Sequence, residues 1–114
     1  MEIEKLQREL LKQNEWLFLK LTEQKKLVVD AAQTEHDYRI AVAKKMLELR
    51  AEGTPVTIIA DITKGEKLIA KLKLDRDIAK GMSDACNQAI MAIRASMSGL
   101  QSLISRDKEL MKLI

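Results

Sequence analysis

From Glu2 to Glu52 the chain runs without a single glycine or proline. So long a stretch free of both helix breakers is either one helix or several fused end to end. Its apolar residues supply the period. Ile3, Leu6, Leu10, Leu17, Leu21, Val28, Ala31, Tyr38, Val42 and Leu49 follow one another at steps built from three and four, the mark of one helical face. Gln24, Glu35 and Lys45 fall into the same seam, so it is not a clean leucine zipper. At 1.5 Å per residue a helix over 2–52 would reach about 75 Å. The segment VVDAAQTEH, Val28 to His36, is weaker helix-forming sequence and leaves open a break or bend there.

A second long helix is expected over 66–112. Its seam reads Leu68, Leu72, Ala79, Met82, Cys86, Ala89, Ile93, Met97, Leu100, Ile104 and Met111, interrupted by Gly81 and Gly99. Small residues gather at Ala85, Ala89, Ala92, Ala95, Ser96, Ser98 and Gly99, a surface another helix can approach closely. Between Ala85 and Ser105 the only charge is Arg94, which predicts a stretch surrounded on more than one side.

The two helices meet at RAEGTPVTIIADITKGEK, Arg50 to Lys67, which holds the chain's one proline. Gly53 suits the left-handed residue that ends a helix. Thr54 reads as an N-cap, with Pro55 at the first helical position. VTII is β-branched and would pass for a strand in isolation, but a single short strand has nothing here to pair with. A short helix from Pro55 to about Thr63, stopped by Gly65, is the preferred reading. Val56, Ile59 and Ile62 would share its inner face and plug the end of the hairpin. The expected fold is therefore all-α: one domain over 1–114, an antiparallel hairpin of two long helices with a corner at 53–65.

At 114 residues a chain forms one domain at most. Charged residues make up 32% and mean hydropathy is −0.17, a balance that fits a soluble helical protein rather than a disordered one. Trp16, Phe18 and Tyr38 are the only aromatics, so the core must be built from Leu, Ile, Ala and Met. Trp16 and Phe18 cannot both face one narrow seam. Either a broad bundle core takes both, or one is an exposed anchor for a partner. Two helices alone would leave apolar flanks wet, so self-association into a homodimeric or larger helical bundle is expected. The residues expected to carry it are Trp16, Leu17, Phe18, Leu21, Ala89, Ile93, Met97, Leu100 and Ile104.

Net charge is +3, too mild to argue nucleic-acid binding alone. Its distribution is more informative. Residues 1–52 carry ten basic and ten acidic side chains, and 53–114 carry ten and seven. Over 39–80, ten basic residues stand against six acidic ones. They are Arg39, Lys44, Lys45, Arg50, Lys64, Lys67, Lys71, Lys73, Arg76 and Lys80. Such a corner would meet an acidic protein surface or phosphate. It would equally serve as a solvated helix surface of i,i+4 pairs such as Lys71 with Asp75. No aromatic residues are interleaved for base stacking, so nucleic acid is the less favoured partner.

Catalytic sets are hard to assemble from these residues. TKGEK has its glycine after the lysine, the wrong order for a phosphate loop. Glu35, His36 and Asp37 are adjacent on a helix and point about 100° apart, so they cannot converge on one ion. Cys86 lies on the apolar seam, and one cysteine with one histidine makes neither a disulfide nor a zinc site. The expectation is a non-enzymatic protein with no metal and no cofactor. The N-terminus is acidic and amphipathic, unlike a signal peptide, and no apolar run is long enough to span a membrane. A cytoplasmic location is expected.

Residues 38–107 carry a further pattern. The Leu-Arg-Ala-Glu-Gly turn at 49–53, the Pro-Val-Thr-Ile start at 55–58 and the Lys-Gly at 64–65 stand before a second helix. Together they resemble small helical proteins encoded by phages and prophages of Gram-positive bacteria. The likeness leaves out the helix around Trp16 and transfers no site residues. It implies a protein of the host-cell cytoplasm that works by binding a host or phage protein, as inhibitors of host defences do. A nucleic-acid-binding replication or recombination accessory is the alternative.

Overall fold

A computed structural model describes residues 2–114 as three helices: α1, Glu2–Ala51; α2, Val56–Gly65; and α3, Lys67–Lys112. No strand occurs among the described residues. The chain is all-α, with two long helices packed on each other and a short helix between them. α1 is unbroken through Val28–His36. The polar residue that weakens this segment is satisfied inside the helix, because the Thr34 hydroxyl donates to the carbonyls of Asp30 (2.9 Å) and Ala31 (3.1 Å). VTII is helical, so its β-branched composition is overridden by context.

The corner is built from two different helix stops. α1 ends in a Schellman motif: Thr54 N–H donates to the Leu49 carbonyl (3.0 Å) and Gly53 N–H to that of Arg50 (3.1 Å), with Gly53 at φ 83°. This corrects the expected role of Thr54. Its backbone belongs to the stop of α1, and the N-cap of α2 is Pro55, with no side-chain cap. The second stop is a single residue. Gly65 closes α2 within the helix, and Glu66 turns extended at φ −68°, ψ 132°. Its carboxylate then accepts from Ile69 N–H at 2.9 Å, which makes Glu66 the N-cap of α3.

The inner face of α2 also differs from expectation. Ile59 is 4% exposed and Thr63 is buried with it, whereas Val56 (77%) and Ile62 (40%) are exposed. Ile59 and Thr63 are one turn apart, and the Thr63 hydroxyl donates to the Ile59 carbonyl at 2.8 Å. A polar side chain thus shares the plug by satisfying itself on its own helix.

The chain divides into two compact units, one of 1–25 with 84–114 and one of 26–83. In the first, Ile3, Leu6, Leu10, Leu17 and Leu21 of α1 are half-buried, and α3 contributes Cys86, Ile90, Ile93, Met97, Leu100 and Ile104. The Gln24 amide donates to Asn87 and the Cys86 thiol to the Lys20 carbonyl (3.5 Å). In the second, Leu27, Ala31, Thr34, Tyr38 and Leu49 of α1 are shielded, as are Ile69, Leu72, Ala79 and Ser83 of α3.

Several seam positions shift by one residue from those read in the sequence. Leu27 is buried in place of Val28, Ile69 in place of Leu68 and Ser83 in place of Met82, while Met111 is exposed. The reason is periodic. The shielded positions of α3 repeat every seven residues, at 69, 76, 83, 90, 97 and 104 and at 72, 79, 86, 93, 100 and 107. Strict alternation of steps of three and four keeps this 3.5 period, and Leu68 and Met82 each fall one residue, about 100°, short of it.

Candidate interaction surface

All ten basic residues expected at the corner lie in the unit of 26–83. Seven of them line adjoining grooves. Arg39, Arg76 and Lys80 line a groove of about 590 Å³ with Glu35 and Asp77. Lys64 and Lys73 line a neighbouring one beside Tyr38. Lys44 and Lys45 line a third groove with Glu48 and Glu66, which meets the second at Ile69. Their pairing divides them again. Lys71 is bound to Asp75 at 3.0 Å and Arg39 to Glu35 at 2.7 Å. Among the described residues Lys44, Lys45, Arg50, Lys64, Lys67 and Lys73 make no ion pair.

Arg76 is the best-anchored charge in this unit. Its guanidinium lies over the Tyr38 ring at 4.5 Å, binds Asp77 at 2.9 Å and reaches Glu35 across the helix pair at 3.5 Å. The hydrogen bond to Asp77 raises its pKa above the ordinary arginine value, with the charges of Asp77 and Glu35 adding to it and desolvation opposing. A folded-state pKa above the unfolded one gives stability that is lost only as pH rises through the higher value. The guanidinium is therefore charged at every accessible pH. Glu35 joins Arg39 on its own helix to Arg76 on the other, so this cluster staples α1 to α3 and is only partly free for a ligand. Sequence spacing did not mark it, since Glu35 lies 18 residues before Gly53 and Arg76 only 11 past Gly65.

The remaining polar candidates resolve simply. His36 is exposed and lies 3.5 Å from Asp37. Cys86 is a buried free thiol. No group of three or more His, Cys, Asp or Glu side chains among the described residues is placed to share a metal ion. No buried side-chain polar atom among them lacks a partner, so no orphaned group marks a ligand pocket. No helix is long and apolar enough to cross a membrane.

Known protein families, curated proteins and solved structures contain no match to this chain. Its surface must speak for itself.

That surface carries many large apolar side chains. Of the residues expected to mediate self-association, Ile104 is buried in the seam within the chain, and Leu17, Leu21, Ile93, Met97 and Leu100 line the same seam half-buried. They are engaged by the hairpin itself. Phe18 is 73% exposed and Trp16 44%, the latter with the Lys12 ammonium over its ring at 5.3 Å. Ala89 is half-buried at the edge. The surface residues that pattern reading missed include Leu11 and Leu19 on α1 and Leu103 and Leu110 on α3, all exposed. In the unit of 26–83, Leu27, Ile78, Ala79 and Met82 line a groove of about 350 Å³ rimmed by Lys26, Asp30 and Asp75.

Proposed function

We propose that this is a non-enzymatic helical interaction protein that assembles with further copies of itself through a coiled-coil-like bundle and works by binding another protein. One observation carries the reading. The chain exposes 8598 Å², whereas a compact monomer of 12.9 kDa exposes about 6300 Å². The excess of about 2300 Å² far exceeds the roughly 800 Å² that each partner buries in a standard interface. Much of it is apolar, with Leu11, Phe18, Leu19 and Leu103 facing water in the free chain. The resemblance of 38–107 to Gram-positive phage proteins supports a host or phage protein as the further partner, engaged in the host-cell cytoplasm. Sedimentation from low micromolar to near-millimolar concentration tests the assembly. A protein that stays monomeric throughout would overturn it.

A second reading has an observation of its own, the six unpaired cations around the corner. They support contact with a nucleic-acid backbone. Binding of double- and single-stranded DNA and RNA is then measured at two salt concentrations. A phosphate contact weakens steeply with salt, and replacing Lys44, Lys64, Lys67 and Lys73 by Glu abolishes it. No binding at low salt removes this reading.

A further inference from the structure

We propose that Lys64 and Lys73, with Tyr38, form a phosphate-binding site in the unit of 26–83. The site rests on the unpaired cations of the second reading and narrows them to one groove and one chemical group. Each helix supplies one of the three side chains. Tyr38 comes from α1, Lys64 from the last turn of α2 and Lys73 from α3, and all line one groove of about 410 Å³. That volume falls within the roughly 300–1,000 Å³ of small-ligand sites.

The chain leaves this groove without a counter-ion. Among the described residues Asp77 is the one acid that lines it, and it stands one turn after Lys73, the ordinary position for an i,i+4 partner. Its carboxylate is taken instead by the adjacent Arg76. The Asp77 Oδ1 accepts from Nε of that arginine at 3.1 Å and from Nη2 at 2.9 Å. Asp61 lies one turn before Lys64 in α2, yet makes no ion pair with it. Two ammonium groups therefore line the same groove, and no acidic side chain neutralises either. The Tyr38 hydroxyl has no hydrogen-bond partner among the described residues, although Arg76 covers its ring at 4.5 Å. A cleft lined by one sign of charge concentrates ions of the other.

The donor set selects phosphate over carboxylate. A planar carboxylate is matched best by the fork of an arginine. The arginines nearby are committed, Arg76 to Asp77 and Glu35, and Arg39 to Glu35 at 2.7 Å. What remains is a hydroxyl and two lysines, each a point charge with rotatable donors, carried on three separate helices. A tetrahedral phosphate offers oxygens in several directions and can accept from all three. Its bearer is a small phosphorylated molecule or the end of a nucleic-acid strand, and the site's chemistry is the same for both. Bound there, it would tie the last turn of α2 to both long helices and stabilise the folded corner.

The test follows the full chain by NMR at low salt, titrated with inorganic pyrophosphate and, at matched ionic strength, with acetate. Pyrophosphate should shift the amide signals around Lys64 and Lys73 and slow amide exchange in α2, and acetate should do neither. Lys64→Gln combined with Lys73→Gln should weaken pyrophosphate at least ~10-fold, with helicity by circular dichroism unchanged. Lys25→Gln combined with Lys108→Gln removes the same charge from exposed positions of the other unit and should change binding little. An oligonucleotide with and without a terminal phosphate distinguishes the bearers. A strand that binds only when end-phosphorylated, or pyrophosphate that binds where neither strand does, would each support the site. Strands that bind equally while pyrophosphate is inert would leave the nucleic-acid reading standing and overturn this site. Pyrophosphate binding that acetate matches, or that survives the double substitution, would overturn it as well. If neither pyrophosphate nor either strand binds, the site and the nucleic-acid reading fall together.

Discussion

Ile59 is the most informative single side chain to remove. It is 4% exposed and, with Thr63, makes up the whole buried face of α2. Ile59→Ala deletes three carbons, which at about 0.8 kcal/mol each come to about 2.4 kcal/mol of lost burial. A cavity term adds to this where the surroundings cannot close, for a total of about 2.5–4 kcal/mol. The loss should also be local. A helix of 10 residues is marginal in water by itself, so α2 without its anchor should fray before the long helices open. Urea unfolding at fixed protein concentration measures the total, and amide hydrogen exchange locates it. The α2 amides should exchange faster by roughly two orders of magnitude, as about 3 kcal/mol implies, while those in mid-α1 change far less. Val56→Ala is the control, because a side chain 77% exposed should cost under about 0.5 kcal/mol. If Val56→Ala costs as much as Ile59→Ala, α2 does not bury the face described and the argument fails.

Three further substitutions test other links. Gly53→Ala places a Cβ at φ 83° in open space, so its cost of about 1–2 kcal/mol is purely conformational and should appear in urea unfolding without any change in helix content. Glu66→Ala removes the carboxylate that caps α3 at Ile69 N–H and should cost about 1 kcal/mol, whereas Glu66→Asp, which still offers a carboxylate, should recover part of it. Gly99→Ala, where a Cβ would meet nothing within 4 Å, should stabilise the chain by up to about 1 kcal/mol in thermal unfolding; a destabilisation there would mean that the site is not open as described.

Much of the fold was readable because the signals were local. A long segment without glycine or proline has few alternatives to helix, and a glycine followed by Thr-Pro marks a stop whatever surrounds it. What failed was finer than one residue in seven. Val28, Leu68 and Met82 were placed in the seam, and Leu27, Ile69 and Ser83 occupy it. Residues one apart on a helix differ by about 100°; Leu27/Val28 and Leu68/Ile69 are both apolar, so composition does not choose between them, and at Met82/Ser83 it favours the wrong one. The choice belongs to the partner helix. Thr54 misled for a related reason: its side chain suits an N-cap, but its N–H was already committed to the carbonyl of Leu49, a competition visible only once both helix ends are in place.

The same one-residue resolution separates a seam from a docking face. Ile93, Met97, Leu100 and Ile104 were expected to meet a second copy, yet they serve the hairpin, while Leu103 and Leu110 at the neighbouring heptad positions face outward. An apolar pattern broader than one seam shows that something more than one helix is to be covered, but not which half of it is taken first. Charge was no better guide. Lys71 and Arg76 are chemically indistinct from Lys67 and Lys73 in sequence, and pairing with Asp75, Asp77 and Glu35 is what withdraws them. The cations left over, and the uncharged face around Gly99, are residues whose chemistry the chain itself does not consume. Function in a protein built to bind is sought in that remainder, after the intramolecular contacts have been assigned.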